Sequence, residues 1–519
     1  MKNYIKYLPF LAFGLIACEP EFVESIEDGE LYTAGEADFS NYVALGNSLT
    51  AGYSDNALYI QGQQNSYPNI LAGQFALVGG GEFNQPLMAD NLGGLTLNGN
   101  QIANNRLVLS SNNGQPVIPP APIAGEPETE ITNKLTGPFN NMGVPGAKSY
   151  HLLAPGYGSV AGVATGQANP YFTRFSSSEN ARVIEDALAQ NPSFFSLWIG
   201  NNDILGYATS GGTGVDQTGN VDPTTYASND ITDPNVFAGA YSQLIEELTA
   251  SASGGVVYNI PNLTDIPFFT TVPNNALVLD AQTAANLTGF FQAVAGIFTQ
   301  ALMQEGVPEA QAQAIAAQYA ITFNEGPNRF IIDVPASQTN PLGFRQMQED
   351  ELLLLTIDQP ALAQGYGSVV LTAEVMQVLG LLQQGGTPTP EQAQLVLDAV
   401  SGIDDQDALD ASELQAISTA RVSYNATIQA LAQANGLAFV DADGLLQDVG
   451  QGISFPGGVV TSDYISGGGF SLDGVHLTPR GYALVANETL RAINLTYGSN
   501  LPEVKLGTYG TIYLSDNVN

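Results

Sequence analysis

Short apolar runs alternate with longer amphipathic stretches in the first half of the chain. Residues 41–45, 193–199 and 255–260 are apolar, have the length of strands, and are bounded by Gly, Asn or Pro. Helical patterns at residues 179–190 and 236–250 precede the second and third runs. Runs without polar alternation are typical of strands buried on both faces. The pattern therefore predicts a parallel sheet covered by helices, an α/β fold.

The same alternation returns near the C-terminus. Asp410, with Glu413 three residues later, has the spacing of a capping box, and an amphipathic helix follows it as far as Asn435. Residues 437–441 then read as a strand, and residues 481–491 read as a closing helix. We therefore assign residues 41–267 and 410–497 to one α/β domain.

The intervening segments have other patterns. Residues 79–136 are rich in Gly, Asn and Pro, which predicts an irregular or β-like insertion. Residues 268–409 contain helical patterns at 281–305, 308–320 and 390–400 and are expected to form a large, mainly helical insertion. Residues 498–519 are assigned to a C-terminal extension.

The N-terminus has the features of an export signal. Residues 1–17 hold two lysines followed by an apolar run too short to span a bilayer. The run ends in Leu15-Ile16-Ala17-Cys18, which resembles the lipobox at which bacterial lipoproteins are cleaved and acylated. Cys18 is the single cysteine of the chain. The resemblance implies a lipid anchor on Cys18, an acidic tether over residues 18–40, and a place in the bacterial cell envelope, on the periplasmic or exposed face of the outer membrane.

The formal net charge of −37 disfavours binding to nucleic acid, because the field of the protein would repel a phosphate backbone. Asp-rich stretches at residues 216–233 and 404–410 lack the spacing of an EF-hand loop, so solvated loops and a helix start are expected there. We expect no metal and no organic cofactor. The oligomeric state is left open.

Histidine limits the candidates for a catalytic base most strongly. The chain has only two, His151 and His476. His476 lies in a Gly-rich loop before the closing helix, and Asp473 precedes it by three residues, close enough to accept a hydrogen bond from Nδ1. His151 is expected to be structural.

Four short motifs resemble those of the SGNH (GDSL-like) hydrolase superfamily. In chain order they are Gly46-Asn47-Ser48-Leu49, Asn141-Met142-Gly143-Val144-Pro145-Gly146, Gly200-Asn201-Asn202-Asp203 and Asp473-Gly474-Val475-His476. Each stands at a predicted strand end or helix start, and together they extend over most of the α/β domain but not over the insertions. The order of the four motifs along the chain and their predicted positions therefore support the resemblance, in addition to the residue identities.

The resemblance implies a flavodoxin-like three-layer α/β/α sandwich with its site at the carboxyl edge of the sheet. Ser48 would be the nucleophile, His476 the base and Asp473 its orienting carboxylate. The N–H groups of Ser48 and Gly146 and the side-chain amide of Asn202 would form the oxyanion hole. The implied activity is hydrolysis of carboxylic esters through an acyl-serine intermediate. The substrates would be lipid, acyl or acetyl esters, and the insertions are expected to form the walls of the active-site cleft.

One residue departs from the family pattern. Asn47 stands where the motif usually has Asp. Because an amide oxygen accepts the same backbone hydrogen bonds, we expect activity to persist. The alternative is a catalytically inactive surface lipoprotein of the same fold that binds glycan or lipid.

Overall fold

The computed structural model describes residues 31–112 and 115–518. The predicted export signal, Cys18 and most of the predicted tether lie outside these residues. Within them, no helix has both the length and the apolar character needed to cross a membrane.

A five-stranded, fully parallel sheet forms the centre of the molecule. Its strands are β1 (Tyr42–Gly46), β2 (Asn141–Gly143), β3 (Phe194–Trp198), β4 (Gly254–Tyr258) and β5 (Ala438–Val440). Their order across the sheet is 2-1-3-4-5, one of the common orders of doubly wound α/β sheets, in which ligands bind near the β1/β3 switch point. Every residue of β1, β3 and β4 is buried, as expected of apolar runs without polar alternation. The predicted α/β class with a parallel sheet is confirmed.

Helices cover the two faces of this sheet. Helices Tyr67–Phe75 and Pro479–Tyr497 pack together on one face, where Tyr258 of β4 shares a hydrogen bond with Thr489. The opposite face carries Val183–Leu188, Pro234–Thr249 and Ala411–Ala434. The last helix begins with the predicted capping box: Asp410 Oδ1 accepts from Glu413 N, and Glu413 Oε2 accepts from Asp410 N. The remaining α-helices of this part are Ser48–Ala51, Ile60–Gln64, Val160–Val163, Asn202–Thr209, Ala442–Gln451 and, at the end of the predicted domain segment, Pro267–Thr270.

Residues 268–409 have a hydrophobic core of their own, centred on Phe291 of a 24-residue helix. Their helices are Ala281–Gln304, Glu309–Ala316, Gln359–Leu362, Ala373–Gln383 and Pro390–Leu397. Short antiparallel pairs join Leu277–Leu279 to Gly326–Asn328, Ile331–Asp333 to Phe344–Gln346, Leu352–Leu353 to Ala408–Leu409 and Ser368–Val369 to Val400–Ser401. The sequence pattern does not predict these pairs, since two or three residues are too few to show a period of two.

Residues 79–136 form further short antiparallel pairs: Leu95–Leu97 with Asn100–Ala103, Leu107–Val108 with Ala121–Pro122, and Ser111–Asn112 with Gln115–Pro116. A last pair, Ile453–Phe455 with Gly458–Val460, follows the helix after β5. Residues 498–518 contact the 79–136 segment, where Leu109 bridges to Leu514.

The end of the predicted tether is not free. Phe39 is buried and stacks on Phe75 with ring centroids 4.1 Å apart, and Glu36 N donates to Tyr497 O. An apolar side chain beside the sheet draws this stretch onto the domain, so residues 33–39 belong to the folded body rather than to the tether.

Candidate active site

Ser48 lies directly beyond the carboxyl end of β1, at the first position of the short helix Ser48–Ala51. Asn47 caps this helix, because its Oδ1 accepts a hydrogen bond from Leu49 N at 3.0 Å. The turn requires Gly46: a Cβ there would come within 2.1 Å of Thr50 Oγ1 and 2.4 Å of Trp198 O. The amide at position 47 therefore accepts a backbone hydrogen bond in the turn, as expected from the sequence.

The three residues expected to form a catalytic triad are in hydrogen-bond contact. Ser48 Oγ lies 2.9 Å from His476 Nε2, and His476 Nδ1 lies 2.9 Å from Asp473 Oδ2. Because an ionised carboxylate can only accept, Nδ1 is the donor to Asp473, which leaves Nε2 as the acceptor for the serine hydroxyl. The hydroxyl, imidazole and carboxylate thus form a continuous relay.

The carboxylate of Asp473 is held ionised. Burial alone would raise its pKa, but the charge of His476 and hydrogen bonds from the backbone N–H groups of His476 and Val475 outweigh it. The net effect holds the pKa of Asp473 well below its ordinary value. The same oxygens also accept from Ser471 Oγ at 3.1 Å and Asn56 N at 2.8 Å.

A second buried carboxylate, Asp55, supports this arrangement and was missed by the sequence analysis. Asp55 Oδ1 accepts from Leu472 N at 3.1 Å, and Asp55 N donates to Ser471 Oγ at 2.9 Å. Asp55 Oδ2 accepts from Tyr59 OH at 2.8 Å. Burial raises the pKa of Asp55 to about 6, against the opposing effect of these hydrogen bonds. No local signal in the sequence shows a contact between positions 417 residues apart.

Two residues of the 268–409 segment, Phe268 and Leu355, support the loop that carries Asp473 and His476. Phe268 N donates to Gly474 O at 3.0 Å, and Leu355 N donates to Phe268 O at 2.8 Å. Gly474 has a φ of +70°, and a Cβ there would lie 2.8 Å from Leu355 Cδ2. The loop that carries Asp473 and His476 is therefore held on one side by residues 55 and 56 and on the other side by Phe268 and Leu355.

The three expected oxyanion donors follow three adjacent strands at the same edge of the sheet. Ser48 follows β1, Gly146 follows β2, and Asn202 follows β3 and begins the helix Asn202–Thr209. Across the described ranges, 31–112 and 115–518, neither the Ser48 N–H nor the Gly146 N–H has a hydrogen-bond partner. Asn202 Nδ2 donates to Ala147 O at 2.9 Å, which holds its amide beside Gly146 with a second N–H still available.

A narrow, mainly apolar cavity, partly open to solvent, adjoins the triad. Ser48, His476 and Asn202 line it together with Asn47 and Asn201. The remaining lining is apolar or glycine and comes from β3, β5, the loop after β4, the loop that carries His476, and the helices Ser48–Ala51, Asn202–Thr209, Ala442–Gln451 and Pro479–Tyr497. None of it comes from residues 79–136 or 268–409. The expectation that the insertions wall the cleft is wrong for this cavity, because the helix after β5 already covers the sheet edge.

His151 lies outside the site, in the 3₁₀ turn Ser149–Leu153. Its Nδ1 accepts from Lys148 N at 3.1 Å, and its ring stacks on Tyr157 with centroids 4.6 Å apart. Burial, with a contribution from the charge of Lys148, lowers the pKa of His151 to about 3. A neutral imidazole packed in this way has a structural role.

Carboxylates of the first Asp-rich stretch accept hydrogen bonds from backbone N–H groups. Asp233 caps the helix Pro234–Thr249, and Asp230 accepts from Val215 N and Ala227 N. In the part of the chain that the structure describes, no cluster of three or more His, Cys, Asp or Glu side chains is arranged to hold a metal ion.

Comparison with known proteins identifies no relative: no family model, no curated protein and no solved structure matches this chain.

Proposed function

We propose that this protein is a serine hydrolase that cleaves carboxylic esters through an acyl-Ser48 intermediate. The observation that carries the proposal is the relay from Ser48 Oγ through His476 to Asp473, with both hydrogen bonds at 2.9 Å. The strand order 2-1-3-4-5 and the four motifs at the sheet edge favour the SGNH hydrolase superfamily and its flavodoxin-like sandwich. In this proposal residues 79–136 and 268–409 are insertions in that fold.

The reaction follows from the geometry. Ser48 Oγ attacks the ester carbonyl carbon while His476 Nε2 takes the hydroxyl proton, and Asp473 stabilises the imidazolium that forms. The carbonyl oxygen becomes an oxyanion that accepts hydrogen bonds from Ser48 N, Gly146 N and Asn202 Nδ2. His476 then gives its proton to the departing alkoxide, which leaves as the alcohol.

The second half returns the enzyme to its starting state. Water attacks the carbonyl carbon of the acyl-Ser48 ester as His476 Nε2 takes one of its protons. The tetrahedral intermediate collapses, the carboxylic acid leaves, and the proton returns to Ser48 Oγ. No step needs a metal or an organic cofactor.

We also propose that the chain is exported and anchored in the bacterial envelope by a lipid on Cys18. The lipobox-like residues before Cys18 and the acidic segment after it support this proposal. Metabolic labelling with an alkynyl fatty acid tests it: the wild type should be labelled and Cys18→Ala should not.

Hydrolysis of p-nitrophenyl butyrate by the purified chain tests the enzymatic proposal. Wild type should release nitrophenol, and Ser48→Ala and His476→Ala should lose that activity by several orders of magnitude. Ser178→Ala is the matched control, because Ser178 is exposed and its hydroxyl has no hydrogen-bond partner within the described chain. Equal rates in wild type and Ser48→Ala would contradict the proposal and favour a non-catalytic binding protein.

A further inference from the structure

The cavity beside Ser48 extends along the carboxyl edge of the sheet, away from the triad. Its walls include Trp198 at the end of β3, Pro261 after β4 and Val440 at the end of β5. Leu446 of the helix Ala442–Gln451 and Leu484 of the closing helix cover it from the sides. The cavity therefore runs from the nucleophile across three neighbouring strands.

The separation of the strands whose ends line this cavity gives an order-of-magnitude span for it. From β1 to β5 there are three strand spacings of ~4.8 Å, or roughly 14 Å in total. An extended hydrocarbon chain advances by roughly 1.3 Å per methylene, given a C–C bond of about 1.5 Å. The span between the ends of β1 and β5 thus corresponds to a linear chain of about ten carbons.

Polar and apolar groups are segregated along this length. The side chains that can hydrogen-bond at the reacting end belong to Asn47, Ser48, Asn201, Asn202 and His476. Beyond them, no Asp, Glu, Lys or Arg of the described chain lines the cavity, and Leu, Ile, Val, Ala and Phe side chains do. A sugar ring placed here would lose its hydrogen bonds to water without replacement, whereas a methylene chain would gain by leaving water.

We propose that this cavity is the acyl site of the hydrolase and that its substrates are esters of linear, medium-chain carboxylic acids of about eight to twelve carbons. The inference rests on the proposed ester hydrolysis for its reacting end. The carbonyl lies at Ser48, and the acyl chain extends past Trp198 and Val440 toward Leu446. The alcohol portion lies on the open side of the triad.

A series of p-nitrophenyl esters from acetate to hexadecanoate tests this assignment. In the wild type, kcat/KM should rise about 3- to 4-fold per methylene, the gain expected for a methylene leaving water, and should fall beyond about ten to twelve carbons. Leu446→Trp should lower kcat/KM for decanoate at least about 10-fold and change acetate by less than about 2-fold, because it fills only the far end. Leu495→Trp is the matched control, since Leu495 is 88% exposed on the closing helix.

A second variant and a binding measurement separate this inference from the proposed function. Ala442→Leu fills the same end with a smaller side chain and replaces Leu446→Trp if thermal unfolding shows that variant to be misfolded. Calorimetric titration of Ser48→Ala with dodecanoate and with butyrate measures the site without catalysis. Binding of dodecanoate that Leu446→Trp abolishes would support the acyl site even if no ester were hydrolysed.

The acyl-site assignment would be overturned if kcat/KM stayed constant or fell with chain length from acetate onward, and if Leu446→Trp changed kcat/KM equally for the acetate and decanoate esters. Ester hydrolysis by Ser48 would stand in that case. Failure of dodecanoate to bind Ser48→Ala more tightly than butyrate would overturn it equally.

Discussion

The backbone N–H of Asn56 donates a hydrogen bond to Asp473 Oδ2 at 2.8 Å. Asn56 lies eight residues after Ser48, so the segment that carries the proposed nucleophile also anchors the carboxylate at the other end of the relay. Asp55 and Ser471 add a second connection between the same two segments. Residues 48–56 therefore carry Ser48 at one end of the relay and also hold Asp473 at the other end.

Asp55 makes the stability of this turn depend on pH. Its pKa is raised from 3.8 to about 6 in the folded state, so between these values the folded state holds more protons than the unfolded state. The free energy of unfolding due to Asp55 should then fall as pH rises through this window, by up to roughly 3 kcal/mol, and remain constant above it. Asp55→Asn should abolish this dependence because an amide does not ionise in this pH range. Its side chain can still accept from Leu472 N and donate to the Tyr59 hydroxyl, so the turn should keep its shape. Denaturant unfolding at several pH values measures the difference from wild type.

The exposed substitution Asp448→Asn is the control for Asp55→Asn, since the side chain of Asp448 has no hydrogen bond within residues 31–112 and 115–518. A wild-type minus Asp55→Asn difference that stays constant with pH would contradict the predicted role of Asp55.

Asp473→Asn should lower kcat on p-nitrophenyl butyrate by about three to four orders of magnitude, with little change in the melting temperature. The amide can still accept from Val475 N and His476 N, so the loop keeps its shape, but it no longer favours the tautomer that accepts from Ser48. Because the pKa of Asp473 is held far below its ordinary value, the wild-type profile should show no ionisation of this group in the pH range of the assay. Activity of Asp473→Asn within tenfold of wild type would exclude Asp473 from the relay.

Asn202→Ala should reduce kcat by about 10²- to 10³-fold while KM changes little, because its amide is proposed to bind an oxyanion that exists only in the transition state. The exposed Asn286→Ala provides the control. Steady-state kinetics on p-nitrophenyl butyrate measure both effects. A loss confined to KM would assign Asn202 to substrate binding instead.

Asn47→Asp should retain activity within a few-fold of wild type, since a carboxylate accepts the same hydrogen bond from Leu49 N. Asn47→Ala removes the cap, which costs about 1 kcal/mol and leaves Ser48 less well placed, so it should lose more activity than Asn47→Asp. Kinetics and thermal unfolding of the two variants give the comparison. Greater loss in Asn47→Asp would show that the amide donor to Asn201 matters more than the cap.

The sequence pattern predicts the central sheet well because its longer strands are continuous apolar runs. β3 and β5 lie within the predicted runs 193–199 and 437–441, and β1 and β4 overlap theirs with ends shifted by one or two residues. The edge strand β2 was missed: its three residues, Asn-Met-Gly, have little strand propensity, and pairing with β1 alone defines it. The predicted helix ends differ by several residues, most at the closing helix, which extends to Tyr497.

The candidate triad could be predicted because the chain has only two histidines, which made His476 the leading candidate for the base. Asp473 was predicted as its partner because it precedes His476 by three residues. The support of Asp473 by Asn56, and of Gly474 by Phe268 and Leu355, could not. These contacts join segments far apart in the chain through backbone groups, which have no residue-type signature. The apolar cavity was missed for a related reason, since its walls come from eight separate elements.

Reaction with a fluorophosphonate, followed by peptide mapping, tests the central claim most directly, because only a serine activated by its base reacts rapidly with this reagent. We expect one label per chain, located on Ser48, strongly slowed in His476→Ala and absent in Ser48→Ala. A wild-type chain that stays unlabelled, or that carries the label on another serine, would contradict the account.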